Sequence, residues 1–228
     1  WPGIASVQVT MDNGTWHMCS GALISHCWVL TAASCFLGAG AVLEWKVVIG
    51  ATDLAEPGPE AEVFQIKRIL VHQGYVATTA TNNIALLELE QPVECSDYIQ
   101  LGCVPDSSLA VPELKTCYMA GWRATPGSGQ CPQGLSLALG LSPALGLSPA
   151  LGLSPALGLS SALGLSPALG LSPALGLSPA PLVCKDNVGD YFWLVGLASW
   201  GEGCAGGRRP GLFTSTQHFH SWIRAHTG

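Results

Sequence analysis

Along the first hundred residues, apolar positions fall in short runs broken by turn-forming residues. Val7-Gln8-Val9-Thr10 and Ala22-Leu23-Ile24 read as brief strands, and residues 45–50 (Trp-Lys-Val-Val-Ile-Gly) as a stronger one. Residues 63–71 continue the pattern after the loop Glu56-Pro57-Gly58-Pro59, and the mostly apolar run 84–89 reads as a buried strand. Many short strands at near-regular spacing predict a barrel or a sandwich. A polar, proline-containing connection follows at 106–116. A second β region opens at Cys117-Tyr118-Met119-Ala120-Gly121-Trp122, resumes at Leu182, and runs through residues 192–200 and 212–214. The tail, 217–225, places Phe219, Trp222 and Ile223 on one face of a terminal helix.

Between the two parts of that second region the pattern changes. Residues 138–179 are seven tandem copies of Ala-Leu-Gly-Leu-Ser-Pro, with Ser161 replacing one proline. A glycine and a proline in each unit stop helical propagation, and a proline every six residues removes a ladder donor from any central strand. The segment reads as low-complexity turns and extended pieces, with a stacked coil of six-residue turns as the alternative. Its fixed period also fits expansion of an 18-nucleotide element.

Composition narrows the setting. Only 11% of residues are charged, and the formal net charge is −6. That balance argues against nucleic acid or an anionic membrane as partner, since both demand basic patches. No apolar run is long enough to span a bilayer. Nine cysteines point to an oxidising compartment. Asn13-Gly14-Thr15 is a glycosylation sequon, and Asp12-Asn13-Gly14 also has the chemistry of a tight hairpin turn. The start at Trp1, without methionine or leader, is expected for a fragment or a processed form. The six histidines show no zinc spacing with the cysteines, and no metal or cofactor is expected.

Several separate motifs then occur in a telling order: Val29-Leu30-Thr31-Ala32-Ala33-Ser34-Cys35, Asn83-Ile84-Ala85-Leu86-Leu87, Pro181-Leu182-Val183-Cys184, Ser199-Trp200-Gly201 and Arg209-Pro210-Gly211. Together they resemble the trypsin-like serine proteases over residues 1–122 and 181–226. Within that family the likeness is nearest to acrosin, the sperm acrosomal protease, through the Cys95/Cys103 pair and Cys184-Lys185-Asp186. The resemblance implies an all-β fold and one domain over 1–228. Two six-stranded antiparallel barrels are expected, the first over 1–105, and the second over 117–228 with the C-terminal helix and the disrupting repeat.

It also implies a broken active site. The family's Thr-Ala-Ala-His-Cys becomes Ser34 at the histidine, and its Asp-Ile-Ala-Leu-Leu becomes Asn83 at the aspartate. Of the Gly-Asp-Ser-Gly-Gly-Pro segment that carries the nucleophile, only Ala180-Pro181 is read as surviving. No catalytic residue is therefore expected to be intact, and the implied function is a proteolytically inactive homologue whose residual role is binding a peptide or protein. Two alternatives stand: a sperm trypsin-like endopeptidase whose active-site segment is misrepresented in the sequence, and the non-functional product of a decaying gene.

The remaining assignments come from the same likeness. Ser199, Trp200, Gly201 and Gly211 match the substrate-pairing strand and pocket walls. Cys19–Cys35 and Cys117–Cys184 match family disulfides. Cys95 and Cys103 match the pair that ties acrosin's heavy chain to its light chain. Cys204 lacks its family partner, with Cys131 as a substitute, and Cys27 has no counterpart. His17, two residues before Cys19, matches a structural histidine. A secreted or acrosomal location follows, and the second barrel, short of several strands, is expected to be the weaker half.

Overall fold

The computed structural model describes residues 1–37, 43–122, 139–140, 179–199 and 212–228. The first half is a closed six-stranded antiparallel barrel. Its strands are β1 (Ile4–Met11), β2 (Gly14–Ser25), β3 (Trp28–Thr31), β4 (Glu44–Ile49), β5 (Glu62–Val71) and β6 (Ala85–Leu89), in the order β1-β2-β3-β6-β5-β4. Alternation along the strands fills the interior, where Val7, Leu23, Val29, Val47, Ile49 and Leu87 are fully buried. Closure leaves this half without a free sheet edge.

The second half, where the repeat was expected to disrupt the barrel, is described in part. Its described residues form a five-stranded sheet in the order β11-β10-β9-β7-β8, made of β7 (Cys117–Met119), β8 (Leu139–Gly140), β9 (Pro181–Lys185), β10 (Phe192–Ser199) and β11 (Leu212–Ser215). β8 comes from the first repeat unit. The rest of residues 138–178, and with it the reading of the repeat as turns or stacked coils, lies outside the described residues. The helix α1 (His220–Thr227) starts three residues later than predicted. Residues 217–219 are instead a turn, because the Gln217 side-chain amide donates to the carbonyls of Asp106 and Leu109 and ties the chain to the connection. Phe219 and Ile223 are buried as their shared face required, with Trp222 packed beside them.

The disulfides Cys19–Cys35 and Cys117–Cys184 are both formed. In the second, the cysteines are direct cross-strand partners on β7 and β9. Cys27, Cys95 and Cys103 are free thiols, the last two exposed, whereas Cys131 and Cys204 lie outside the described residues. The tight β9–β10 hairpin is organised by Asp186. Its carboxylate accepts from the backbone N–H groups of Gly189 and Val188 and from the Trp193 indole, bonds that hold its pKa well below the usual carboxylate range.

A buried polar joint locks the two halves together. The Ser20 hydroxyl on β2 accepts from the Trp122 backbone N–H at 3.2 Å, and the Ser20 N–H donates to the Pro179 carbonyl at 2.8 Å. Gly121 permits this approach, since a Cβ there would lie 2.4 Å from the Ser20 hydroxyl oxygen. His17 sits behind them, its Nδ1 2.7 Å from the Ser6 hydroxyl, its ring edge-on to Trp122 and bonded to the Trp122 carbonyl. Because the Gln8 amide donates to Ser6, a relay runs from Gln8 to Ser6 to Nδ1, leaving the other ring nitrogen as the donor to Trp122. The imidazole is therefore neutral. Burial drives its pKa down to about 4, only partly opposed by the bond to Trp122.

The unfolded chain takes up the His17 proton near pH 6.5 and the folded protein only near pH 4. Stability from this group is thus complete above pH 6.5 and lost as pH falls towards 4, by about 3 kcal/mol in all. Urea midpoints measured from pH 7.5 to 4.5 should show this decline. In His17→Gln the same plot should be flatter across that window.

Candidate functional site

Ser34 and Asn83, which are 49 residues apart in sequence, are brought into direct contact by the first barrel. Ser34 lies in a short 3-10 turn, Ala33–Phe36, immediately after β3. The turn is held on one side by strand pairing of Thr31 with Ala85 and on the other by Cys35 through its disulfide to Cys19. The Thr31 hydroxyl donates to the Ser20 carbonyl at 3.1 Å and fastens the same corner to β2.

Asn83 is presented by the β5–β6 loop, whose shape has visible backbone causes. Val76 and Thr81 form an isolated antiparallel bridge, and the Asn82 amide donates to the Gly74 carbonyl at 2.8 Å. Ala80 and Asn82 both adopt left-handed backbone, each at φ 52°. Asparagine tolerates that region, but alanine has no compensating bond. The Ile84 N–H then turns back to the Asn82 carbonyl at 2.8 Å, which points the Asn83 side chain inward, where it is fully buried.

The contact is a two-bond ring. Asn83 Oδ1 accepts from the Ser34 backbone N–H at 2.7 Å, and Asn83 Nδ2 donates to Ser34 Oγ at 3.0 Å. The amide orientation is unambiguous, because a backbone N–H can only donate. Neither group titrates in the aqueous range, so the pair can store no proton and accept none from a neighbouring hydroxyl. Its chemistry is to pin the loop to the turn.

The histidines make their contacts elsewhere. His17 belongs to the inter-sheet joint, and His26 Nδ1 lies 2.7 Å from the Val93 carbonyl. His72 accepts from the Gly74 N–H and packs edge-on against Phe219 and tilted against Trp222. Burial, together with His218 and His226 nearby, holds the His72 pKa below its ordinary value. Among the described residues no cluster of three or more histidine, cysteine or acidic side chains is arranged to hold a metal ion. No described helix is long and apolar enough to cross a membrane. Of the predicted peptide-pairing residues, Trp200, Gly201 and Gly211 lie outside the described residues, while Ser199 ends β10 opposite Leu212.

Two stability measurements test this local account. Asn83→Ala removes both bonds of the buried ring and leaves the Ser34 N–H without its acceptor, so it should cost about 2–3 kcal/mol, against about 1 kcal/mol for Ser34→Ala, which removes one bond. Ala80→Gly relieves left-handed strain and should raise stability by a net of about 0.5–1 kcal/mol after the added unfolded-state entropy. Equilibrium urea unfolding of the three variants reads both.

Comparison with known proteins comes from a family model described as trypsin, which matches residues 1–139 and 175–223. The unmatched interval is repeat. The match resumes inside the last repeat unit. With a match over most of its length, a closed six-stranded barrel and a second sheet ending in a helix, the chain belongs to the trypsin family.

Proposed function

We propose that this chain is an acrosin-like, proteolytically inactive homologue, in which Ser34 and Asn83 stand where the family's histidine and aspartate stand and the surviving capacity is to bind an extended peptide or protein. The observation that carries this is the neutral Ser34–Asn83 ring. Acyl transfer requires an imidazole to take the nucleophile's proton and a carboxylate to orient it. Removing one triad member already costs on the order of a million-fold in turnover. Counting the family's Gly-Asp-Ser-Gly-Gly-Pro back from Pro181 without a gap puts Ser178 at the nucleophile position, but its hydroxyl adds little without a base, since an unassisted serine is a poor nucleophile at neutral pH.

What remains is a surface. Strand pairing by the stretch Ser199-Trp200-Gly201 needs main-chain groups only, so the loss of chemistry does not remove it. Free, exposed Cys95 and Cys103 lie in the segment that follows β6 and support disulfide attachment of a companion chain of the light-chain type. Tyr98 and Leu101, between them in sequence, are also exposed and add apolar area. Two formed disulfides in a trypsin-family domain fit secretion, and the acrosin likeness points to the acrosome as the site.

Incubation of the purified chain with a fluorophosphonate serine probe, and with an arginyl ester, should give neither labelling nor hydrolysis above a heat-denatured control. Robust labelling of Ser178 would overturn the reading. The double reversion Ser34→His with Asn83→Asp is a second arm. Recovery of labelling there would show that the proton relay alone was missing, and continued silence that the nucleophile segment is also unfit.

A further inference from the structure

We propose that Asn13 is an N-glycosylation site, its asparagine nitrogen held outward at the tip of the β1–β2 hairpin. Asn13-Gly14-Thr15 is the one Asn-x-Ser/Thr sequence in the chain, and its placement meets each physical demand of the modification. Met11 pairs with Gly14, so Asp12 and Asn13 form the two-residue turn, and both are exposed. Gly14 supplies the left-handed backbone the turn needs, at φ 128°, and nothing lies within 4 Å of the position its Cβ would take. A bulky substituent therefore meets open solvent on that side.

The side chain is also pre-aimed. The Trp16 indole N–H donates to Asn13 Oδ1 at 3.1 Å. Indole nitrogen is a donor only, so the amide oxygen must face the ring and Nδ2 must face away from it. A sugar replaces one hydrogen on Nδ2 and leaves the carbonyl untouched, so this bond survives modification and the hairpin is not disturbed. The disulfides Cys19–Cys35 and Cys117–Cys184 are of the kind formed in the oxidising secretory compartment where such transfer takes place.

The donor class is an oligosaccharide on a polyprenyl diphosphate, ending in N-acetylglucosamine. The bond from Asn13 Nδ2 to the sugar C1 forms as the C1–O bond to the diphosphate breaks. The diphosphate leaves with the electron pair, and the amide proton passes to a base of the transferase. The competing fate of an Asn-Gly pair is deamidation, in which the Gly14 nitrogen attacks the Asn13 side-chain carbonyl and ammonia leaves.

The test is expression of the full chain behind a secretory leader in mammalian cells, with secreted and cell-retained material analysed alike so that the result does not depend on export. Peptide-N-glycosidase treatment in oxygen-18 water should convert Asn13 to aspartate carrying one heavy oxygen in most of the material. Thr15→Ser should preserve that label, and Thr15→Ala should reduce it at least tenfold. Two outcomes would overturn the assignment: Asn13 unmodified in the wild-type peptide, or aspartate at this position with only light oxygen, arising without the enzyme.

Discussion

The register between β7 and β9 is the constraint on which the second half of this molecule rests. Cys117 and Cys184 face each other across those strands although 67 positions of sequence separate them. Loop-closure entropy rises only with the logarithm of length, so the 42 repeat residues within that loop add roughly 1 kcal/mol to the cost of closing it. Once the disulfide has formed, the loop is closed in the unfolded chain too, and that increment no longer opposes folding. The same end of the loop is clamped a second time where Pro179 meets Ser20. The two ends of the repeat are thereby fixed to the sheet and to the barrel.

The positions of Ser34 and Asn83 are set by the barrel itself. The corner that presents Ser34 is built from the end of β3, the Cys19–Cys35 bond and the Thr31 hydroxyl, all of which serve the barrel. The loop that presents Asn83 is shaped by its own bridge and its two left-handed residues. Position is a property of the fold, whereas proton transfer is a property of the two side chains placed there. The first persists without the second.

Much of the first barrel was legible in the sequence. β4, β5 and β6 fell within a residue of their predicted bounds, because alternation and β-branched residues agree there. β2 was foreshortened in the reading, since Cys19, Ser20 and Gly21 interrupt an apolar pattern that the structure continues through close strand pairing. The helix start was misplaced by a tertiary bond from Gln217 that no local pattern encodes. At the site, Ser34 and Asn83 were identifiable only by likeness to a family, and their mutual ring only from coordinates. The left-handed turn through Ala80 carries no glycine to announce it.

On the proposed reading, Ser34 in place of histidine and Asn83 in place of aspartate are physically coupled. Asn83 is fully buried, and an aspartate there would be a desolvated charge. In an active protease the facing imidazole relieves that charge, taking it up as an ion pair when protonated. With serine in place of the histidine, a carboxylate would keep only hydrogen bonds from the turn, and an uncompensated buried charge costs about 3–5 kcal/mol. Asparagine is its neutral isostere, offering the same oxygen to the Ser34 N–H and adding a donor for the new hydroxyl. Opposite a serine, the amide is therefore the side chain the folded state prefers at position 83.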